Sequence, residues 1–221
     1  MKIIFIGAPA SGKGTYAKRL VKEYDLTHIS TGDLIRKEIE AETQTGKQAK
    51  EYTSKGQLVP NEIIIELLKE RMSKEDAKKG FILDGFPRNM KQAKELESIT
   101  EIDKVLNFEA TMDTIIRRIT GRRICRSCGE IFHVKNIPVK DNKCTKCGGE
   151  VYQREDEKPE VVKQRLSIYE TESKPLTQYY EEKGVLVNID SNKDVSNPEF
   201  DVIDVCKEIF NRINNRINIE R

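Results

Sequence analysis

Apolar positions along the chain fall into two alternating kinds of segment. Short unbroken runs have the length of strands buried on both faces: Lys2-Ile3-Ile4-Phe5-Ile6, Phe81-Ile82-Leu83-Asp84, Asp103 to Phe108, and Val185-Leu186-Val187-Asn188-Ile189-Asp190. Thr27-His28-Ile29-Ser30 is a shorter fifth run. Between them, apolar residues recur at helical spacing. Ala17, Leu20 and Val21 mark a helix from Lys13 to Tyr24, and Leu34, Ile35 and Ile39 mark another, with Ser30 or Thr31 at its head. Lys47 to Lys55 reads as a polar helix closed by Gly56, and Gln57 to Pro60 as extended chain. Asn61 reads as the cap of a helix from Glu62 to Met72. Further helices are expected over Asn89–Ser98, over Met112–Gly121 and after Lys158-Pro159, where Pro175 breaks or kinks the run. The last helix starts at Pro198, turns Val202, Val205, Ile209 and Phe210 inward, and frays from Asn211. Strands alternating with helices predict an α/β fold, a five-stranded parallel sheet flanked by helices. Residues 30–60 read as a helical excursion too polar to join the core.

One junction between the two patterns carries chemistry. Gly7-Ala8-Pro9-Ala10-Ser11-Gly12-Lys13 joins the first strand to the first helix with the spacing G-x-x-x-x-G-K. Glycines let backbone N–H groups turn inward round an anion, the helix N-terminus adds positive potential, and Lys13 supplies a mobile charge. Gly14 stands where this loop commonly has Ser or Thr, and Thr15 follows it. Asp84, an acid ending an apolar strand, is the expected Mg²⁺-organising carboxylate. Ligands of parallel sheets bind beyond the carboxyl ends of the strands, where Gly7, Asp84 and Arg88 fall.

Composition narrows the picture. The 221 residues are 34% charged but carry a net charge of only +2, so no global field draws the chain to nucleic acid. No stretch approaches the length of a membrane span, and the opening strand is too short for a signal peptide, so a cytoplasmic protein is expected. No helix carries a second apolar face, so a monomer is expected. Four of the five cysteines form two C-x-x-C hooks, Cys125/Cys128 and Cys144/Cys147, with fifteen residues between them. Such paired hooks suit one tetrahedral Zn²⁺ of structural kind, whereas a redox pair needs a single hook. His133 lies between the hooks and is read as a non-ligand; His28 is read as structural.

Together these motifs resemble the adenylate kinases of the long-lid, zinc-bearing kind. The resemblance runs from Met1 to about Phe210 and rests also on Ser30-Thr31-Gly32-Asp33 with Arg36, Gln57-Leu58-Val59, Leu83 to Arg88 with Gln92, Gly121-Arg122-Arg123, and Tyr152-Gln153-Arg154 through Arg165. It implies a phosphate-loop nucleoside monophosphate kinase fold and reversible transfer of a phosphoryl group from ATP to AMP, giving two ADP, with Mg²⁺. It implies a core of residues 1–29, 61–120 and 159–221, an AMP-binding insert at 30–60 and a zinc-bearing lid at 121–158. By the same resemblance, Gly7, Ala10, Ser11, Gly12, Lys13, Gly14, Thr15, Arg118, Arg122, Ile131, Phe132 and Lys193 would bind ATP. Thr31, Arg36, Gln57, Leu58, Val59, Gly85, Phe86, Pro87, Arg88, Gln92, Arg154 and Arg165 would bind AMP. Lys13, Asp84, Arg88, Arg122, Arg154, Asp156 and Arg165 would serve catalysis. The acidic pair that is often Asp-Asp in the family is Asp156-Glu157 here, and its longer second side chain bears on how a closed lid is anchored.

Other classes fit less well. UMP and CMP kinases share the loop but usually have a short lid without cysteines. A regulatory GTPase needs N-K-x-D, which Asn192-Lys193-Asp194-Val195 misses. A nucleic-acid zinc ribbon is disfavoured because Glu130, Asp141 and Glu150 dilute the basic residues around the hooks and few aromatics are present to stack on bases.

Overall fold

The computed structural model describes residues 1–135, 142–192 and 202–219, without the side chains of 202 and 216–219. In chain order the elements are β1 (Lys2–Gly7), α1 (Lys13–Glu23), β2 (Thr27–Ser30), α2 (Thr31–Glu40), α3 (Gln44–Thr53), α4 (Asn61–Met72), α5 (Glu75–Lys78), β3 (Phe81–Asp84), α6 (Met90–Ile99), β4 (Lys104–Glu109), α7 (Met112–Gly121), β5 (Arg122–Cys125), β6 (Ile131–His133), β7 (Val151–Tyr152), α8 (Pro159–Ile168), α9 (Pro175–Glu182), β8 (Leu186–Asp190) and α10 (Val202–Ile219).

Five strands form a parallel sheet in the order β2-β3-β1-β4-β8. Alternation along β1 sorts side chains between two cores. Ile4 and Ile6 join Leu83, Val105 and residues of α2, α3, α4, α6 and α9 on one face; Ile3 and Phe5 join Leu106, Phe108 and residues of α1 and α10 on the other. Pairing of Phe5 with Asp84, Asp84 with Ser30, and Gly7 with Phe108 brings the strand ends that carry Gly7, Ser30 and Asp84 to one edge. A second, antiparallel sheet, β6-β5-β7, carries the two cysteine hooks.

The structure revises several expectations. The 30–60 excursion is not excluded from the core, since Ile35, Ala49 and Val59 are buried in the same cluster as Ile4 and Leu83. Helix α3 begins at Gln44 rather than Lys47, because Thr43 caps it by accepting from Gly46 N at 2.9 Å. Gly46 is therefore not a break. A Cβ there would lie 2.0 Å from the Glu38 carbonyl oxygen, so it lets two helices touch. Asn61 is the first residue of α4 behind Pro60 and does not cap it; its side chain is turned toward α6. The proline at 175 does not end the helical path: a π-helical turn, Tyr169–Ser173, links α8 to α9, and Pro175 takes the first turn of α9. Helix α10 does not fray at Asn211. Its buried face is Ile203, Cys206, Phe210 and Ile213, with Val205 and Ile209 only partly covered. Pro198 lies outside the described residues.

Replacing Gly46 by Ala puts a methyl against backbone that cannot swing aside. The expected loss is about 1–3 kcal/mol of stability, read as a lower urea midpoint. An unchanged midpoint would show that α2 and α3 have slack between them.

Candidate functional site

The loop after β1 is shaped by contacts that admit no side chain. Gly7 has φ +134°, and a Cβ on it would meet the Phe108 carbonyl oxygen at 2.4 Å; Gly12 caps α1 at φ +102°. Lys13 Nζ donates to the carbonyls of Gly7 and Ala8, each at 2.7 Å, and to Ser11 Oγ at 3.2 Å. Gly14 stands close to Asp84: a Cβ on Gly14 would lie 3.2 Å from Asp84 Oδ2, a tight contact that a small shift of the carboxylate would relieve. Burial pushes the Lys13 ammonium down to about 8; Asp84 opposes the shift, and Arg88, Arg165 and Arg122 add to it.

Asp84 is the negative centre of the site. Burial alone would raise its carboxyl, but the neighbouring His28 and the charge of Lys13 outweigh burial and hold it below its usual range. His28 Nε2 lies 3.4 Å from Asp84 Oδ2. This partner was not legible in the sequence, because only the parallel pairing of β2 with β3 brings the two side chains together.

Around this centre stand arginines from six elements or turns, all lining one cleft of about 1340 Å³ with Gly7, Ala10, Gly12, Lys13, Gly14 and Thr15. Five have carboxylate or carbonyl partners that aim them, among them Arg88, whose Nε donates to the Gly85 carbonyl at 2.8 Å. Arg36 pairs with Asp33, and Arg165 Nη1 meets Asp156 Oδ2 at 2.8 Å. Arg122 Nε donates to Glu157 Oε1 at 2.6 Å, and the Glu157 side chain is wholly buried. Arg118 Nη2 donates to the Ser191 carbonyl at 2.7 Å. Arg154 Nε is buried with no hydrogen-bond partner among the described residues, a donor left for a ligand. Burial, then neighbouring arginines, brings both Arg88 and Arg154 down to about 10. The site thus concentrates positive charge where water is scarce, as a polyanion requires.

A second, smaller recess of about 40 Å³ is lined by Thr31, Gln57, Leu58, Val59, Gly85, Arg88 and Gln92. Thr31 Oγ1 donates to the Gly85 carbonyl at 2.8 Å and so ties α2 to the turn after β3. Pro87 lines the large cleft, whereas Phe86 is wholly buried in the core beneath it. Ser11 is also wholly buried and acts on the loop from inside. Ile131 and Phe132 line the far wall of the large cleft. Lys193 lies outside the described residues.

The four hook cysteines converge. Their sulfurs all lie within 4.8 Å of one another, with Cys125 to Cys147 at 3.4 Å and Cys128 to Cys144 at 3.7 Å. Tetrahedral zinc–thiolate bonds set sulfurs about 3.8 Å apart, so the cluster fits that metal. Backbone N–H groups of Cys128 and Lys146 point at the sulfurs of Cys125 and Cys144, which favours thiolates. His133 is not part of the cluster. Its Nδ1 accepts from Lys135 N at 3.2 Å, which leaves Nε2–H to donate to the Arg117 carbonyl at 3.1 Å. A contact that no motif signalled joins the two halves of the site: Lys18 Nζ of α1 donates to the Gly129 carbonyl in the first hook at 2.8 Å.

Comparison with known proteins accords with this geometry. The family profile described as adenylate kinase matches residues 5–185. A protein of Caldicellulosiruptor bescii named adenylate kinase is 49% identical over 216 residues, covering 95% of this chain and 97% of its own length. Adenylate kinases of Staphylococcus aureus and Staphylococcus epidermidis are 49% and 50% identical over 215 residues, covering 95% of this chain and all of theirs. Among the described residues no helix is long and apolar enough to cross a membrane.

Two outcomes follow from the site. Purified protein is expected to carry one zinc per chain, and chelating it should lower the melting temperature while kcat persists at temperatures where the fold survives; loss of activity with the fold intact would refute a purely structural metal. Lys13 is partly neutral near pH 8, and bound phosphates raise its pKa, so binding takes up a proton in that window. Calorimetry in buffers of different ionisation enthalpy should find about half a proton absorbed per ATP at about pH 8. Zero uptake would mean that Lys13 is already fully charged.

Proposed function

The chain belongs to the adenylate kinase family, and from that membership we propose how its residues carry out the reversible transfer of the terminal phosphoryl group of ATP to AMP, giving two ADP. The observation that carries the assignment of roles is the convergence of Lys13, Arg36, Arg88, Arg122, Arg154 and Arg165 on one cleft around Asp84.

The nucleophile is an AMP phosphate oxygen, anionic at neutral pH, so no general base is needed. The protein's tasks are in-line positioning and neutralisation of charge on the oxygens in transit. The loop from Gly7 to Thr15, with Arg118, holds the ATP phosphates through backbone N–H groups, Lys13 and the guanidinium. The adenine of ATP rests by Ile131 and Phe132. AMP enters from the insert of residues 30–60: Thr31, Gln57, Leu58, Val59, Gly85, Pro87 and Gln92 form its base and ribose side, with Phe86 supporting them from the core beneath, and Arg36 and Arg88 take its phosphate. Arg122, Arg154 and Arg165 surround the moving phosphoryl group, with Asp156 and Glu157 fixing Arg165 and Arg122. The ionised Asp84 and the Thr15 hydroxyl suit a hard, oxygen-seeking cation and would hold Mg²⁺. When bound, Mg²⁺ neutralises charge on the outer phosphates of ATP. Residues 121–158 act as a lid that excludes water and so prevents hydrolysis of ATP, and the cysteine cluster holds zinc to stiffen it. We assign the protein to the cytoplasm as a monomer.

An assay with ATP and Mg²⁺, offering AMP, CMP, UMP and GMP in turn, tests the acceptor. ADP should form rapidly with AMP; preferred turnover of CMP or UMP would overturn the acceptor assignment. Arg88→Ala should lower kcat about 10²–10³-fold, the usual loss for one stabiliser of transition-state charge. A change confined to the KM for AMP would reduce Arg88 to a ground-state contact.

A further inference from the structure

Three side-chain amides at the head of α4 and α6 form a closed set whose orientations are dictated by backbone donors. The Arg88 backbone N–H donates at 2.7 Å to the Gln92 side chain, so the atom facing it must be the carbonyl Oε1. The Gln92 backbone N–H donates at 2.9 Å to the Asn89 side chain, so that atom must be Oδ1. The NH₂ groups of both amides are thereby turned to one remaining acceptor. Gln92 Nε2 and Asn89 Nδ2 meet Asn61 Oδ1 at 2.8 Å and 3.2 Å. A flipped Asn61 would set three NH₂ groups against each other, so its carbonyl must face inward. Gln92 is 2% exposed and lines the 40 Å³ recess with Thr31, Leu58 and Val59.

We propose that Asn61 is a positioning residue that locks the Gln92 amide in one orientation and thereby sets which purine the acceptor site takes. The inference rests on Gln92 contacting the acceptor's base. With one Nε2–H held by Asn61 and one Oε1 lone pair held by Arg88 N–H, the recess receives one donor and one acceptor in fixed order. An adenine edge, with a ring-nitrogen acceptor beside an exocyclic amino donor, matches that order. Hypoxanthine reverses it, with a ring N–H beside a carbonyl, and would need the amide flipped. Asn61 thus acts through Gln92, and its oxygen is the property that matters.

The test is the ratio of kcat/KM for AMP to that for IMP at saturating ATP. IMP differs from AMP in the polarity of that edge alone. N61A should lower the ratio about tenfold, the worth of a well-made hydrogen bond, chiefly by raising the KM for AMP. N61D, which keeps an acceptor oxygen, should restore the ratio, and in a Q92A background N61A should change it no further. An unchanged ratio in N61A, even with a lower melting temperature, would overturn the proposal by leaving Asn61 a structural role alone. The proposal fails equally if N61A shifts the ratio by the same factor with and without Gln92. If Q92A itself leaves the ratio untouched, it is the contact of Gln92 with the base that fails. Should N61A not fold, nitrogen-15 spectra of wild-type protein decide: one Gln92 Nε2 proton protected from solvent exchange supports the lock, and two rapidly exchanging protons refute it.

Discussion

Like charges crowded into a partly dry cleft are the constraint on which the rest of this structure depends. Lys13, Arg88, Arg154 and Arg165 all have depressed pKa values for one leading reason, burial, and most are pushed further by each other. Fixed partners that do not consume all the donors keep most of such a set charged and ordered, while Arg154 keeps its buried Nε unpartnered among the described residues. Asp33 holds Arg36, Asp156 holds Arg165, Glu157 holds Arg122, and Asp84 with His28 faces Lys13. Arg118 relies on the Ser191 carbonyl, an acceptor without charge. A guanidinium has five donors, and a carboxylate occupies at most two in a bidentate pair, so spare N–H groups remain directed at the ligand. Glu at 157, where the family often has Asp, fits this scheme, because the buried side chain reaches Arg122 directly.

The sheet exists to bring those partners to one edge. Parallel pairing places the ends of β1, β2 and β3 side by side, and the loops that leave them must turn sharply without side chains in the way. Gly7, at φ +134° against the Phe108 carbonyl, and Gly12, at φ +102° against the Tyr16 ring, are the two places in the phosphate loop where that demand is strongest.

Features set by spacing along the chain were legible in the sequence. The phosphate loop, the cysteine hooks, the parallel sheet and the acid at the end of β3 all follow from local pattern. Features set by packing between elements were not. His28 meets Asp84 only through strand register, and Asn61 looks like a cap until α6 is placed beside it. Gly46 looks like a helix breaker until the Glu38 carbonyl is found against it. The buried face of α10 escapes a sequence reading because several faces of that helix are apolar enough, and only the docked partner selects Ile203, Cys206 and Phe210. Polarity misleads over residues 30–60 as well: a few small or apolar residues, Ile35, Ala49 and Val59, suffice to anchor a mostly polar segment to the main core.

The second sheet is the limiting case of the same logic. Among the described residues its buried apolar set is Ile124, Cys125, Cys144 and Val151, with Phe132 packed against the last three, too little to hold three short strands by the hydrophobic effect. A four-sulfur cluster supplies the missing cross-link, since a bound metal favours the folded arrangement over the open chain. Stiffness there matters because β5 begins at Arg122 and the hook it leads into accepts from Lys18, one turn beyond the phosphate loop on α1. The hook segment is therefore tied to α1, just beyond the phosphate loop, through Lys18 to the Gly129 carbonyl. For the proposed lid, coordination would supply the stiffness needed to aim Arg122 from so small a segment, and a hydrogen bond from Lys18, rather than a broad apolar interface, would let it come away.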